Sequence, residues 1–273
     1  MPPDHPSRIV CLTEETTETL YLLGEEHRIA GISGYTVRPA RARREKPRVS
    51  AFSSAHTGKI LELRPDLVIG FSDIQADIAR DLIKHGLNVL VFNQRSVAEI
   101  LAMIRTLAAI VGAGERGAQL IASLEAGLDS IRSGVEGAYR RPRVYFEEWD
   151  DPMIAGIRWV SELIGIAGGE DVFADLAQSP AARGRIIADP GEVVRRAPDI
   201  IVGSWCGKKF RPERVRAREG WGSIPAVATD QIFEIKSADI LQPGPAALTD
   251  GVRQLHEVVC AWVAAGGSGE RDA

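Results

Sequence analysis

The chain has 273 residues, of which 45% are hydrophobic and 26% charged, and its formal net charge is −4. This is an ordinary soluble, globular balance, large enough for one big domain or two small ones. It argues against a general nucleic-acid binder, and no apolar run approaches the roughly 20 residues that cross a bilayer as a helix, so the chain is not membrane-embedded.

The first stretch, Met1-Pro2-Pro3-Asp4-His5-Pro6-Ser7-Arg8, has neither the basic start nor the apolar segment of a signal peptide. The expectation is a cytoplasmic protein, or a periplasmic one if a leader has been removed. Cys11, Cys206 and Cys260 are odd in number and far apart, which fits reduced thiols better than a disulfide framework. Residues 8–12 then read as a strand, 16–23 as a helix stopped by Gly24, and 29–33 as a second strand. A helix over 59–63, a buried strand over 67–69, a helix over 74–85 and a strand over 89–92 follow. Strands alternating with helices imply a mostly parallel sheet covered on both faces. Ser96-Val97-Ala98-Glu99 is a capping box. It opens a helical stretch with Ile100, Ile104, Leu107 and Val111 on one face, interrupted at Gly112 and Gly114 and resumed to Gly134. A second alternating region starts near Arg143, and a last helix covers 249–262. The organisation expected is an N-terminal α/β lobe (1–95), a linking helix (96–140), a C-terminal α/β lobe (141–265) and a flexible tail (266–273).

The two halves resemble each other. Lys59-Ile60-Leu61-Glu62-Leu63-Arg64-Pro65-Asp66-Leu67-Val68-Ile69-Gly70 has a counterpart in Glu192-Val193-Val194-Arg195-Arg196-Ala197-Pro198-Asp199-Ile200-Ile201-Val202-Gly203. Their prolines are 133 positions apart (198 − 65), and Glu14 and Glu147 keep the same offset. A weaker third pair joins residues 88–92 to 231–235. Matches in the same order, two of them at one offset, imply two similar lobes in tandem, which would enclose a ligand between them.

In open parallel sheets, ligands bind at the carboxyl ends of strands. Those ends carry Thr13, Glu14 and Glu15; Gly34 and Tyr35; Phe71, Ser72 and Asp73; Asn93 and Gln94; and, in the second half, Glu147, Glu148, Trp149 and Asp150, then Ser204, Trp205 and Cys206, then Lys236. Aromatic rings among polar groups suit a large, partly apolar ligand with many hydrogen-bonding arms. The mirrored glutamates would accept ligand amides or hold a hard cation, or one of each pair would be solvated or cap a helix. Two basic loops, around Arg38–Arg48 and Lys208–Arg218, would rim the cleft or lie solvated. Catalytic motifs are missing, and no metal-ligand set is evident: His56 and His256 stand alone. Cys206 beside Lys208 is the one candidate nucleophile.

Arg8-Ile9-Val10, Thr17-Glu18-Thr19-Leu20, Arg64-Pro65-Asp66-Leu67-Val68-Ile69, Gly168-Gly169-Glu170-Asp171-Val172-Phe173 and Arg196-Ala197-Pro198-Asp199-Ile200-Ile201-Val202 resemble the substrate-binding proteins of ABC importers for cobalamin and ferric siderophores. The likeness runs from about Arg8 to Trp262, and Trp159-Val160-Ser161-Glu162-Leu163 is most similar to the cobalamin-binding branch. It implies two α/β lobes joined by a long rigid helix, with the ligand between them and no cofactor besides that ligand. It also implies contacts from Phe52 of Val49-Ser50-Ala51-Phe52 and from Tyr35; Trp149 and Trp205 match by location. The family presents a glutamate on each lobe, seven residues before the corner proline, for docking on the permease. Gly58 and Gly191 occupy those places here.

The reading is a non-catalytic binder of cobalamin or a related corrinoid, serving an ABC permease or standing as a cytoplasmic relative that has lost the docking contact. The ligand-binding residues expected are Thr13, Glu14, Glu15, Tyr35, Phe52, Phe71, Ser72, Asn93, Gln94, Glu147, Glu148, Trp149, Trp159, Trp205 and Cys206. A ferric siderophore, haem or another metal chelate is the alternative ligand; an enzyme using Cys206 is the alternative of a different class.

Overall fold

The computed structural model describes residues 4–135 and 140–266. The end of the linking segment and the tail beyond Gly266 lie outside the described residues. Contacts divide the chain into two units. Unit 1 holds the chain up to Gln94 with 98–124 and 242–246; unit 2 holds 95–97, 125–241 and the chain from Ala247 on.

Unit 1 is built on an all-parallel sheet of β1 (Ile9–Cys11), β2 (Ile29–Ser33), β3 (Arg48–Ser50), β4 (Leu67–Phe71) and β5 (Val89–Phe92), ordered β3-β2-β1-β4-β5. The strand order reverses between β1 and β4, which makes their carboxyl ends a natural ligand position. Val10, Leu12, Val49, Ile60, Val68 and Leu82 form a buried cluster on it. The helix after β1, Glu14–Leu22, is buried at every position from Glu14 to Tyr21. Thr16, Thr17 and Thr19 afford this by returning their hydroxyls to the carbonyls of Thr13 and Glu15. Strand β3 was not foreseen, being short and set among arginines.

Unit 2 carries β6 (Arg143–Asp150), β7 (Met153–Ala155), β8 (Glu170–Asp171), β9 (Ile200–Gly203) and β10 (Ile232–Glu234). The order is β10-β9-β6-β7, with β8 also paired to β6 and β7 the one antiparallel partner. Its core is aromatic: the Tyr145 ring meets Phe173 and Trp221 edge-on at 5.4 and 6.2 Å. Gly203 ends β9 because the Phe210 ring fills the place of a side chain; a Cβ there would lie 1.8 Å from it.

The repeat seen in sequence is one structural device made twice. Before each Pro-Asp corner stands a non-glycine residue in the left-handed region, Arg64 at φ 46° and Ala197 at φ 40°. In unit 1 the Asp66 carboxylate accepts the Ser7 and Arg8 amides at 2.7 and 3.0 Å, while the Asp66 amide donates to Arg8 O. In unit 2 the Asp199 carboxylate accepts the Arg143 amide at 2.8 Å, and the Asp199 amide donates to Arg143 O. Each corner therefore locks the strand that follows it to the first strand of its own unit. Burial raises the Asp66 pKa, but the Ser7 and Arg8 amides outweigh it and hold the carboxyl below its ordinary range.

The linking segment is two helices rather than one, Val97–Ile110 and Gly114–Val135, parted by a turn with Gly112 at φ 72°. The boundary between the units falls inside the second of these, after Leu124.

Candidate functional site

In unit 1 the turn after β1 buries three carboxyls. Glu14 accepts the Val37 amide at 3.1 Å, and Glu15 accepts the Thr13 hydroxyl at 2.6 Å. Glu18 accepts Arg38 Nε at 2.9 Å and the Ala246 amide at 3.0 Å. The second oxygen of Glu15 is buried without a hydrogen bond. Burial, more than their neighbours, pushes both Glu14 and Glu15 up to about 7. Such carboxyls present both an acceptor and, when protonated, a donor. Burial likewise pushes the Cys11 thiol up to about 12, which leaves it inert.

The remaining unit 1 positions gather around Gln75, which the sequence did not single out. Its Oε1 accepts the Phe71 amide and its Nε2 donates to Phe52 O, both at 2.9 Å. Gly70 makes room for it, since a Cβ there would lie 2.7 Å from Gln75 Oε1. This ties the ends of β4 and the loop after β3 together and fixes Phe52, which is half-buried. Tyr35 is exposed. Ser72, at φ 64°, caps the following turn through the Ile74 amide. Gln94 is buried and donates to Pro243 O at 2.9 Å. Ser72, Asn93, Val91 and Ile83 line a cavity of about 580 Å³.

Unit 2 corrects the roles expected for its acidic pair. Glu147 is fully buried and receives Arg218 through two bonds of 2.5 and 3.0 Å, Tyr145 OH at 2.9 Å and Trp205 Nε1 at 3.0 Å. Glu148 is held by Arg185 at 2.5 and 3.1 Å. Both carboxylates are occupied by arginines far along the sequence, a pairing that spacing alone does not reveal. Trp159 is also an interior residue, its ring buried and its Nε1 bonded to Ile240 O at 2.9 Å.

The open chemistry of unit 2 lies beside them. Lys208 ion-pairs with Asp150 and lies 4.2 Å from the Trp149 ring centre and 5.0 Å from that of Trp205. Trp205, Lys208, Lys209, Glu234 and Lys236 line a cavity of about 290 Å³ at the ends of β9 and β10. Cys206 is exposed beside it. Lys208, expected to activate that thiol, is engaged by Asp150 and the two indoles. Among the described residues no group of three His, Cys, Asp or Glu side chains is placed to hold a metal ion. No helix among them is long and apolar enough to cross a membrane.

Three similar proteins bear on these residues. An uncharacterized ABC transporter substrate-binding lipoprotein, YvrC of Bacillus subtilis, is 24% identical over 93% of this chain and 80% of its own length. The vitamin B12-binding protein of Vibrio cholerae is 26% identical over 91% of this chain and 87% of its own. The structure of the periplasmic heme-binding protein RhuT from Roseiflexus sp. RS-1 superposes with a TM-score of 0.75 at 23% identity, covering 93% of this chain and 99% of that one. The Bacillus subtilis relative is named as a lipoprotein, and the cytoplasmic expectation is left without support. The sequence profile of the family described as periplasmic binding protein matches residues 9–238, and the chain belongs to that family.

Proposed function

We propose that this protein is a non-catalytic solute-binding protein of the ABC-importer type and that its solute is a corrinoid such as cobalamin. The observation that carries this reading is the pair Glu14 and Glu15, buried at the end of β1 and titrating near 7. Carboxyls in that range both accept from an amide NH2 and donate to an amide carbonyl, and a corrinoid is fringed with primary amides. Tyr35 and Phe52 supply apolar contact in unit 1. The vitamin B12-binding relative supports the same solute class. Titration with cobalamin tests the reading through its visible spectrum and the protein's melting temperature. A spectral shift with thermal stabilisation is expected; neither, at millimolar ligand, rejects the corrinoid.

A second reading, an anionic metal chelate such as haem, draws on the cavity lined by Lys208, Lys209 and Lys236. Lysines there would receive carboxylates while the half-buried Trp149 meets the macrocycle, and the heme-binding structural neighbour has the same fold. Parallel titrations with haem and a ferric chelate distinguish the two. Tight haem binding lost in Lys209→Glu, with cobalamin silent, selects the second.

A further inference from the structure

The segment Arg38–Arg48 holds six cations, Arg38, Arg41, Arg43, Arg44, Lys46 and Arg48, in eleven residues (38 to 48). Three carboxylates answer them: Glu18 pairs with Arg38, and Glu26 and Glu45 pair with Arg41. Arg43, Arg44 and Arg48 are exposed and have no carboxylate partner among the described residues. Beside Arg41 of the same segment lies an exposed apolar pair. Leu22 and Val37 are 52% and 39% accessible, large values for side chains of their size. Leu22 and Val37 line a concavity of about 530 Å³ with Tyr21, Pro39, Ala40 and Arg41, and the Arg41 guanidinium lies 4.6 Å from the Tyr21 ring centre. Neither the ligand chemistry above nor the core of unit 1 uses the side chains of Leu22, Val37, Arg43, Arg44 and Arg48.

We infer that this face of unit 1 docks on an anionic phospholipid surface, the unpaired arginines meeting headgroup phosphates and the apolar side chains entering the headgroup–acyl boundary. Basic and apolar groups side by side are what interfacial binding requires. A free phosphate would use the arginines but leave Leu22 and Val37 without a role. The surplus of positive charge sits on a chain of net charge −4, so attraction to an anionic bilayer would orient the molecule with this face down. Each cation near an anionic surface raises partitioning about fivefold at low salt. Three unpaired arginines together would raise it about a hundredfold.

The test is co-sedimentation of the whole chain with protein-free vesicles, phosphatidylcholine alone against phosphatidylcholine with phosphatidylglycerol. The expected result is partitioning into the anionic vesicles only, lost at about 1 M salt, where the screening length falls to about 3 Å. Arg43→Glu with Arg44→Glu lowers it at least about 25-fold. Leu22→Ser with Val37→Ser lowers it severalfold without changing the salt dependence. Both double variants keep the wild-type melting temperature, since the four side chains are exposed. Equal binding to the two vesicle types overturns the inference, as does an unchanged Arg43→Glu/Arg44→Glu variant. Retention on protein-containing membranes with none on protein-free vesicles also overturns it and assigns the face to a protein partner.

Discussion

Removing the carboxylate of Glu147 exposes what holds unit 2 together. The side chain is fully buried, and Arg218 is only 17% exposed where it lies over the Trp221 ring at 4.5 Å. Glu147→Ala leaves a guanidinium in place without its counter-charge, and breaking a buried pair from one side costs about 3 to 5 kcal/mol. Partial solvation of Arg218 favours the lower end, about 3 kcal/mol. Tyr145 OH and Trp205 Nε1 also lose their acceptor, at about 1 kcal/mol each. The expected destabilisation is therefore about 5 kcal/mol. Glu147→Gln, which keeps an acceptor and the volume, costs roughly half as much. Replacing both partners, Glu147→Met with Arg218→Met, recovers most of the loss because no charge remains buried. All five tryptophans, Trp149, Trp159, Trp205, Trp221 and Trp262, belong to unit 2, so urea unfolding followed by tryptophan fluorescence reports that unit alone. A cost below about 1 kcal/mol for Glu147→Ala, or additive single and double variants, would refute the reasoning.

Three further outcomes are expected. Tyr35→Ala leaves stability within about 0.5 kcal/mol, because the ring is exposed, yet weakens ligand binding about tenfold by calorimetric titration. Glu14 and Glu15 are raised from 4.5 to about 7, so in the folded state they hold protons that the unfolded chain has released. Their contribution, roughly 3 kcal/mol each, is complete below about pH 4.5 and disappears as pH rises through 7. Glu14→Gln and Glu15→Gln should flatten that decline in a melting-temperature series from pH 4.5 to 8. Ala197→Gly relieves a left-handed backbone at φ 40°, offset by the entropy of a freer unfolded chain. A net gain of about 0.5 to 1 kcal/mol in urea unfolding is expected, and a loss would show that this corner carries no strain.

How far the fold could be read in advance depended on the range of the forces involved. The all-parallel core announced itself because Ile9, Val10, Val68 and Ile69 are buried on both sheet faces and so read as unbroken apolar runs. The Pro-Asp corners were legible because proline and the aspartate act within a few residues. Strand β3 escaped because only Val49 and Ser50 of its three residues are buried. Strand β7 escaped as a three-residue return after a turn. For the strand ends, the sequence located the positions and mistook several occupations. Arg218 lies 71 residues from Glu147, and Arg185 lies 37 from Glu148. Gln75 reads as a plain helix-start residue until its amide is seen bridging Phe71 and Phe52.

The same positions in the two halves meet one problem and resolve it in opposite ways. Glu14 and Glu147 share an offset in sequence, and both are removed from water, a condition a bare carboxylate tolerates poorly. Glu147 sits within a strand that runs on to Asp150 and pairs with β7, so its side chain faces a packed interior where Arg218 reaches it. The charge is kept and neutralised, and the group becomes structural. Glu14 begins a helix after a strand of only three residues, and its partner is the Val37 amide rather than a cation. There the proton is the available counter-charge, and the pKa rises to about 7. A carboxyl poised in that way responds to whatever approaches it, whereas one locked by an arginine does not. For this reason a titratable acidic pair survives at the end of β1 in unit 1, whereas the acidic pair of unit 2 is held by arginines.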